Sequence, residues 1–263
     1  VVLPKSAAAH TVETRPLQQA FQPCHQPMDF SQRIDPMREN IGLGNALLSG
    51  TQLVAAMGSP MALGLFMCVI RPGKQVVGAT TTQAEALEAL QRHRADLLVC
   101  TDRLDEGNGG QLVEAAKQLH PSPRTLLIVT QPRRTMLIHT ALAAGCDGLC
   151  LEANIGLGNM LQALRCIDRG ASYIDRELHR SFLHSLPGLD GRPLTPLTGR
   201  ELEVLTLMTR SLNNQEIARE LFLSSETVKS HVQHIGEKLQ ARNRLQAVLL
   251  AIRMDLVDWP DPG

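Results

Sequence analysis

Three groups of side chains in this sequence have the types and spacing to do chemistry: a polar face following Ser224, carboxylates after residue 101, and scattered thiols. In the first, Val228, Val232, Ile235 and Leu239 recur at steps of four, three and four. On a helix these four share one side. The opposite side then carries Glu226, Lys229, Ser230, Gln233, His234 and Glu237. That mixture of donors and acceptors suits the reading of base edges in a major groove. Thr227 falls near the positive end of the same helix, where a phosphate would be met. A polar helix face taken alone is more often merely solvated, so the elements around it must decide.

The carboxylates Asp102, Asp105 and Glu106 follow the apolar run Leu97-Leu98-Val99-Cys100. The carboxyl end of a parallel strand is where ligands and reacting groups gather, yet Gly107, Gly109 and Gly110 also make this a solvated turn. The six cysteines (Cys24, Cys68, Cys100, Cys146, Cys150 and Cys166) are scattered, most of them in apolar runs, as small buried hydrophobes in a reducing compartment would be. Cys146 and Cys150 have no second pair at finger-like spacing. No metal site and no cofactor are expected. No nucleophile, base and orienting group fall together either, so no catalytic residue is expected and the chain does not read as an enzyme.

The elements that position these residues follow from patterning. With 263 residues, 43% of them hydrophobic, the chain is long enough for two domains. Its formal net charge is zero, so any affinity for nucleic acid must come from local arrangement. Residues 1–46, with five prolines and no sustained period, read as a disordered arm. Strand patterns at 52–56, 76–80, 96–101, 125–129 and 148–151 alternate with helical stretches. Thr82 with Glu85 is one helix start; Gly110, Met136 and Ile155 open further helices. The expected fold of residues 47–176 is a flavodoxin-like, doubly wound, five-stranded parallel sheet. Residues 177–194, rich in Pro and Gly, read as a linker. Residues 195–263 read as an all-α domain of four helices at 198–210, 213–221, 225–239 and 243–254. The tight turn Phe222-Leu223-Ser224 between the second and third gives a helix-turn-helix outline. The longest apolar run, 61–70, is about half a membrane span, and the opening residues lack a secretory pattern. A cytoplasmic location with no membrane partner is expected.

The segments Leu197-Thr198-x-Arg200-Glu201-x-x-Val204-Leu205, Asn214-x-Glu216-Ile217-Ala218 and Ser224-x-x-Thr227-Val228-Lys229-x-His231, followed by Lys238-Leu239 and Arg244-x-x-Ala247, resemble the LuxR/NarL-type helix-turn-helix over roughly 60 residues. That resemblance implies a homodimer on double-stranded DNA, with RNA polymerase as a further candidate partner. It makes Lys229, Ser230 and Gln233 the groove contacts. Thr227, His231, Lys238 and Arg244 would face phosphates or hold the fold, and Leu245, Val248, Leu249 and Ile252 on the fourth helix would serve the dimer as well as the core. The α/β unit resembles a response-regulator receiver. A working receiver needs an acidic pair after its first strand, an aspartate ending the third, a Thr or Ser, and a lysine. These positions fall on Ala55-Ala56, Thr101, Thr130 and Glu152. The expected state is a pseudo-receiver that needs no sensor kinase. Two alternatives remain open on the sequence: a phosphorylation switch using Asp102 one residue late, and a thiol-redox sensor using Cys68, Cys100, Cys146 or Cys150.

Overall fold

The structure, a computed structural model, describes residues 34–70, 76–132, 135–178 and 195–258. The stretch up to residue 33 and most of the expected linker (179–194) lie outside the described residues. Helix α1 (Ile34–Leu47) leads into β1 (Leu53–Ala56), α2 (Pro60–Val69), β2 (Val76–Thr80), α3 (Gln83–His93), β3 (Leu97–Thr101), α4 (Gly109–Lys117), β4 (Arg124–Val129), α5 (Thr135–Ala143) and β5 (Gly148–Leu151). A 3-10 turn (Glu152–Leu157), α6 (Asn159–Asp168) and β6 (Tyr173–Ile174) complete the α/β domain.

All strands are parallel, in the order β2-β1-β3-β4-β5-β6. Two expectations are corrected here. The sheet has six strands, not five: Tyr173 and Ile174 pair with Gly148 and Leu149 at the edge, and a two-residue strand is too short to show a period. Residues 34–47, expected in a disordered arm, form α1. No residue of α1 is fully buried, so tertiary contacts hold it: Asn45 Nδ2 donates to Val69 O at 3.0 Å, and Leu47 packs into the core beneath α6.

Apart from the partly exposed edge strand β2, the strands are buried on both faces, and the two-residue period divides their side chains. Leu53, Leu97, Val99, Leu126 and Ile128 join one core with α2 and α6. Val54, Leu98, Cys100, Leu127 and Val129 join the other with α3, α4 and α5.

The C-terminal domain consists of α7 (Gly199–Thr209), α8 (Asn214–Glu220), α9 (Ser225–Leu239) and α10 (Arg244–Arg253). Thr198 with Glu201 and Asn213 with Glu216 form reciprocal capping boxes, each worth about 1 kcal/mol. Val204, Leu205, Ile217, Val228, Ile235 and Leu239 make its core.

The two domains touch. Leu245 and Leu249 of α10 are 2% and 3% exposed and belong to the core cluster of the α/β domain, on its α5 side. Asn243 Nδ2 donates to Leu142 O at 2.5 Å, Asn213 Nδ2 to Arg169 O at 2.8 Å, and Arg169 pairs with Glu216 at 2.8 Å.

Candidate functional site

Helix α9 starts where Ser224 Oγ accepts from the Thr227 backbone N–H at 3.0 Å. Phe222, at φ 53°, makes the turn before it and is almost wholly exposed. The heptad-like apolar spacing then does what the sequence implied: Val228, Ile235 and Leu239 are buried and Val232 packs against them. Glu226, Thr227, Lys229, Ser230, Gln233, His234 and Glu237 are exposed, and His231 is half-buried. Among the described residues nothing covers this face. Lys229 lies 3.8 Å from Glu226 in a loose, exposed pair, and Gln233 donates to Glu237 at 3.0 Å. Surface pairs of this kind are worth little, so both side chains can turn to a duplex at small cost.

Two residues carried over with the DNA-facing set are engaged inside the domain instead. Lys238 Nζ donates to Glu201 Oε2 at 2.7 Å and to Pro196 O at 3.3 Å. Burial alone would raise the Glu201 carboxyl, but Lys238 and the Thr198 donors outweigh it and hold the pKa below the usual carboxylate range. The Arg244 guanidinium donates to Asn214 Oδ1 at 3.0 Å and to Leu212 O, and burial draws its pKa down to about 10 while Glu216 opposes the shift. These two cations tie helices together. The fourth-helix set is buried, as its core role requires. Val248 and Ile252 sit in the helical core and Leu245 and Leu249 against the α/β domain, so none of the four is free for a second copy in this arrangement.

At the other end of the molecule, the carboxyl ends of β1 and β3 converge. The residues past β1 are Met57 and Gly58, which corrects the placement of the acidic pair on Ala55-Ala56. Those two alanines lie within the strand and are fully buried. Gly58 N donates to Thr101 Oγ1 at 3.2 Å, and Thr101 Oγ1 donates to Arg103 O at 2.6 Å. A Cβ on Gly58 would stand 2.5 Å from Arg103 O, so the two loops close where a carboxylate side chain would have to fit. Glu152, exposed, follows β5. This set offers no carboxylate cluster for a divalent cation. It does not fit the magnesium that a phosphorylated receiver uses, and among the described residues no group of His, Cys, Asp or Glu could hold a metal ion.

Asp102 is fully buried. Thr130 N and Thr130 Oγ1 donate to its Oδ1 at 2.9 and 2.7 Å, and Gln131 N donates to Oδ2 at 3.3 Å. Strand alternation turns it to the face opposite Thr101, and there it pins the β3 exit to the β4 exit. The sequence did not reveal this role, although an acid next to a strand end and a threonine at the neighbouring one were both visible.

Of the described thiols, all but Cys68 are enclosed as well. Burial, with Asp147 nearby, pushes Cys146 up to about 11. Cys100 and Cys150 are raised by burial as well, and only Cys68 of the described cysteines is exposed. A raised pKa removes thiolate, the reactive form.

A short capped helix, a tight turn and a longer helix with an open polar face define a helix-turn-helix unit, joined here to a parallel α/β domain of receiver type. Residues 195–251 match the family model for bacterial regulatory proteins of the luxR family. Across both domains the chain is 29% identical over 193 residues to the oxygen regulatory protein NreC of Staphylococcus carnosus, covering 70% of this chain and 88% of that protein. It is 29% identical over 194 residues to the DNA-binding transcriptional activator DevR/DosR of Mycobacterium tuberculosis, covering 73% and 88%. A structure of RcsB from Salmonella enterica serovar Typhimurium bound to promoter P1flhDC in the presence of the phosphomimetic BeF3- is 20% identical, with a TM-score of 0.45 over 77% of this chain and 98% of that one. Residues 195–251 thus carry a luxR-family helix-turn-helix behind a receiver-like α/β domain, and across both domains the chain is similar to transcription regulators of the response-regulator type.

Proposed function

We propose that this regulator binds specific duplex sites in the cytoplasm as a homodimer, and that its receiver-like domain works without phosphorylation. The observation that carries the second half is Thr101 at the end of β3, with the only adjacent carboxylate, Asp102, buried on the other face and hydrogen-bonded through both oxygens. Glu152 at the lysine position adds repulsion toward a phosphoryl group. Lys229, Ser230 and Gln233 read bases, Thr227 meets a phosphate at the helix start, and His231 steadies the approach. Lys238 and Arg244 keep the helices in place. Dimerisation through Leu245 and Leu249 requires α10 to leave the α/β domain first, so duplex binding and domain separation are coupled in this reading. RNA polymerase is the downstream partner that a promoter-bound regulator would meet.

The test is fluorescence anisotropy on a duplex selected from a random pool, with and without beryllofluoride and magnesium. Affinity that is unchanged by beryllofluoride supports the reading; tightening by beryllofluoride refutes phosphorylation independence while leaving DNA binding intact. No selectable duplex at low salt would remove the DNA-binding assignment of α9.

A further inference from the structure

A cavity of about 460 Å³ lies on the α2–α6 side of the sheet, roofed by α1. Its volume falls within the range of about 300–1,000 Å³ typical of small-molecule sites. The floor is Val99, Thr101 and Ile128 of the sheet, and the walls are α2, α6 and the 3-10 turn after β5. Most of the lining is aliphatic, with Phe66 the one aromatic side chain. Polar groups are few. Thr101 Oγ1 is already committed to Gly58 N and Arg103 O, and Asn45 Nδ2 ties α1 to α2. Glu152 is the only charged residue on the lining, and its carboxylate has no hydrogen-bond or ion-pair partner among the described residues.

We propose that this cavity is a binding site for a predominantly apolar small molecule that carries a cationic or hydrogen-bond-donating group toward Glu152. Three features favour that occupant. The sheet contributes the carboxyl ends of its strands, where parallel α/β folds bind ligands. Helix α1 narrows what would be a shallow groove into a half-open cavity, although its sequence gives it little reason to fold alone. A lone unpaired carboxylate at the edge of an apolar chamber selects the sign of the head group. The site lies where a phosphoryl group would have been received, but with its polarity inverted. The proposal rests on the reading of the receiver-like domain as unphosphorylated, and the two can fail separately, because a beryllofluoride response tests that reading alone.

The experiment titrates the full chain with N-phenyl-1-naphthylamine, a neutral fluorophore with an apolar body and one N–H donor, and in parallel with anionic 1-anilinonaphthalene-8-sulfonate. Saturable uptake of one neutral dye per chain is expected, with the sulfonate binding about tenfold or more weakly. Glu152→Gln should bring the two dyes closer together. Ile41→Trp, on the roof, and Ile155→Trp, on the wall, should each abolish uptake while anisotropy on the selected duplex and the thermal melt report an intact fold. The second variant decides if the first does not fold. Failure of the full chain to take up the neutral dye overturns the proposal, including the case where another part of the chain or a second copy fills the cavity. Uptake that ignores both tryptophans, or equal affinity for the two dyes in the wild type and in Glu152→Gln, overturns it too.

Discussion

On α9, polar side chains stand outward where folding has no use for them; at the ends of β1 and β3, the side chains of Thr101 and Asp102 are consumed by the fold. Lys229 and Gln233 make only exposed, low-value contacts with Glu226 and Glu237. Thr101 and Asp102 close loop against loop with five hydrogen bonds between them. Polar residues left available signal an intermolecular task, and polar residues fully satisfied inside signal structure. The two regions are linked by α10, which lends Val248 to the helical core and Leu249 to the α/β core.

The largest effect should come from that link. Leu249→Ala removes a side chain that is 3% exposed at the domain boundary, at an expected cost of about 2–5 kcal/mol. Calorimetry should show one melting transition for the wild type and two for the variant, and the released α10 should favour dimers in sedimentation. An unchanged melt would mean that the domains do not hold this arrangement in solution, and the contrast between an open α9 and a covered α10 would lose its meaning.

Next is the pair inside the helical domain. Lys238→Met keeps the aliphatic stem but leaves Glu201, 4% exposed, without its ammonium partner, which should cost about 1.5–3 kcal/mol of stability. Because the folded Glu201 carboxyl is held below its ordinary value, its stabilisation is complete above the unfolded carboxyl pKa of about 4.3. It is lost as pH falls through the depressed folded value. Urea melts of wild type and variant should therefore differ at neutral pH and converge in acid. If the variant instead loses duplex affinity with no change in stability, Lys238 belongs with the outward residues of α9.

Lys229→Ala sharpens the same boundary from the other side. It should leave stability within about 0.5 kcal/mol and cost about 1–3 kcal/mol of duplex affinity, with altered base preference if it reads a base edge. A uniform loss across sequences, with a smaller salt slope, would move it to the phosphate-contacting class.

How much of this was legible in the sequence follows the physics of each region. The caps at Thr198, Asn213 and Ser224 and the four-three-four spacing of α9 are local signals, and they fixed the helical domain closely. The strands were legible from their apolar runs. Helix α1 was not, because its stability comes from Val69 and α6 and not from its own period. Nor was β6, which is only two residues long. The fate of Asp102 was hidden for a different reason: which face of the sheet it takes depends on where β3 ends. The burial of Leu245 and Leu249 was hidden because an apolar stripe does not name its partner.

The smallest expected effect is also the sharpest comparison. Acetyl phosphate with magnesium should add no phosphoryl group to this chain, as read by intact mass, and hydroxylamine should release none. Asp102 would have to break three hydrogen bonds and cross to the other side of the sheet to be attacked, and no carboxylate pair waits there for the cation. Restoring an acid at the first strand's exit should not help. Gly58→Asp would force its Cβ against the Arg103 carbonyl, 2.5 Å away, prising the two loops apart before any metal could bind. If Thr101→Asp alone gains the modification, the fold has kept the phosphorylation site's geometry and lost only its nucleophile. If Thr101→Asp and Gly58→Asp together still gain nothing, the loops themselves have been rebuilt, and the strand ends now serve the fold in the way that α9 does not.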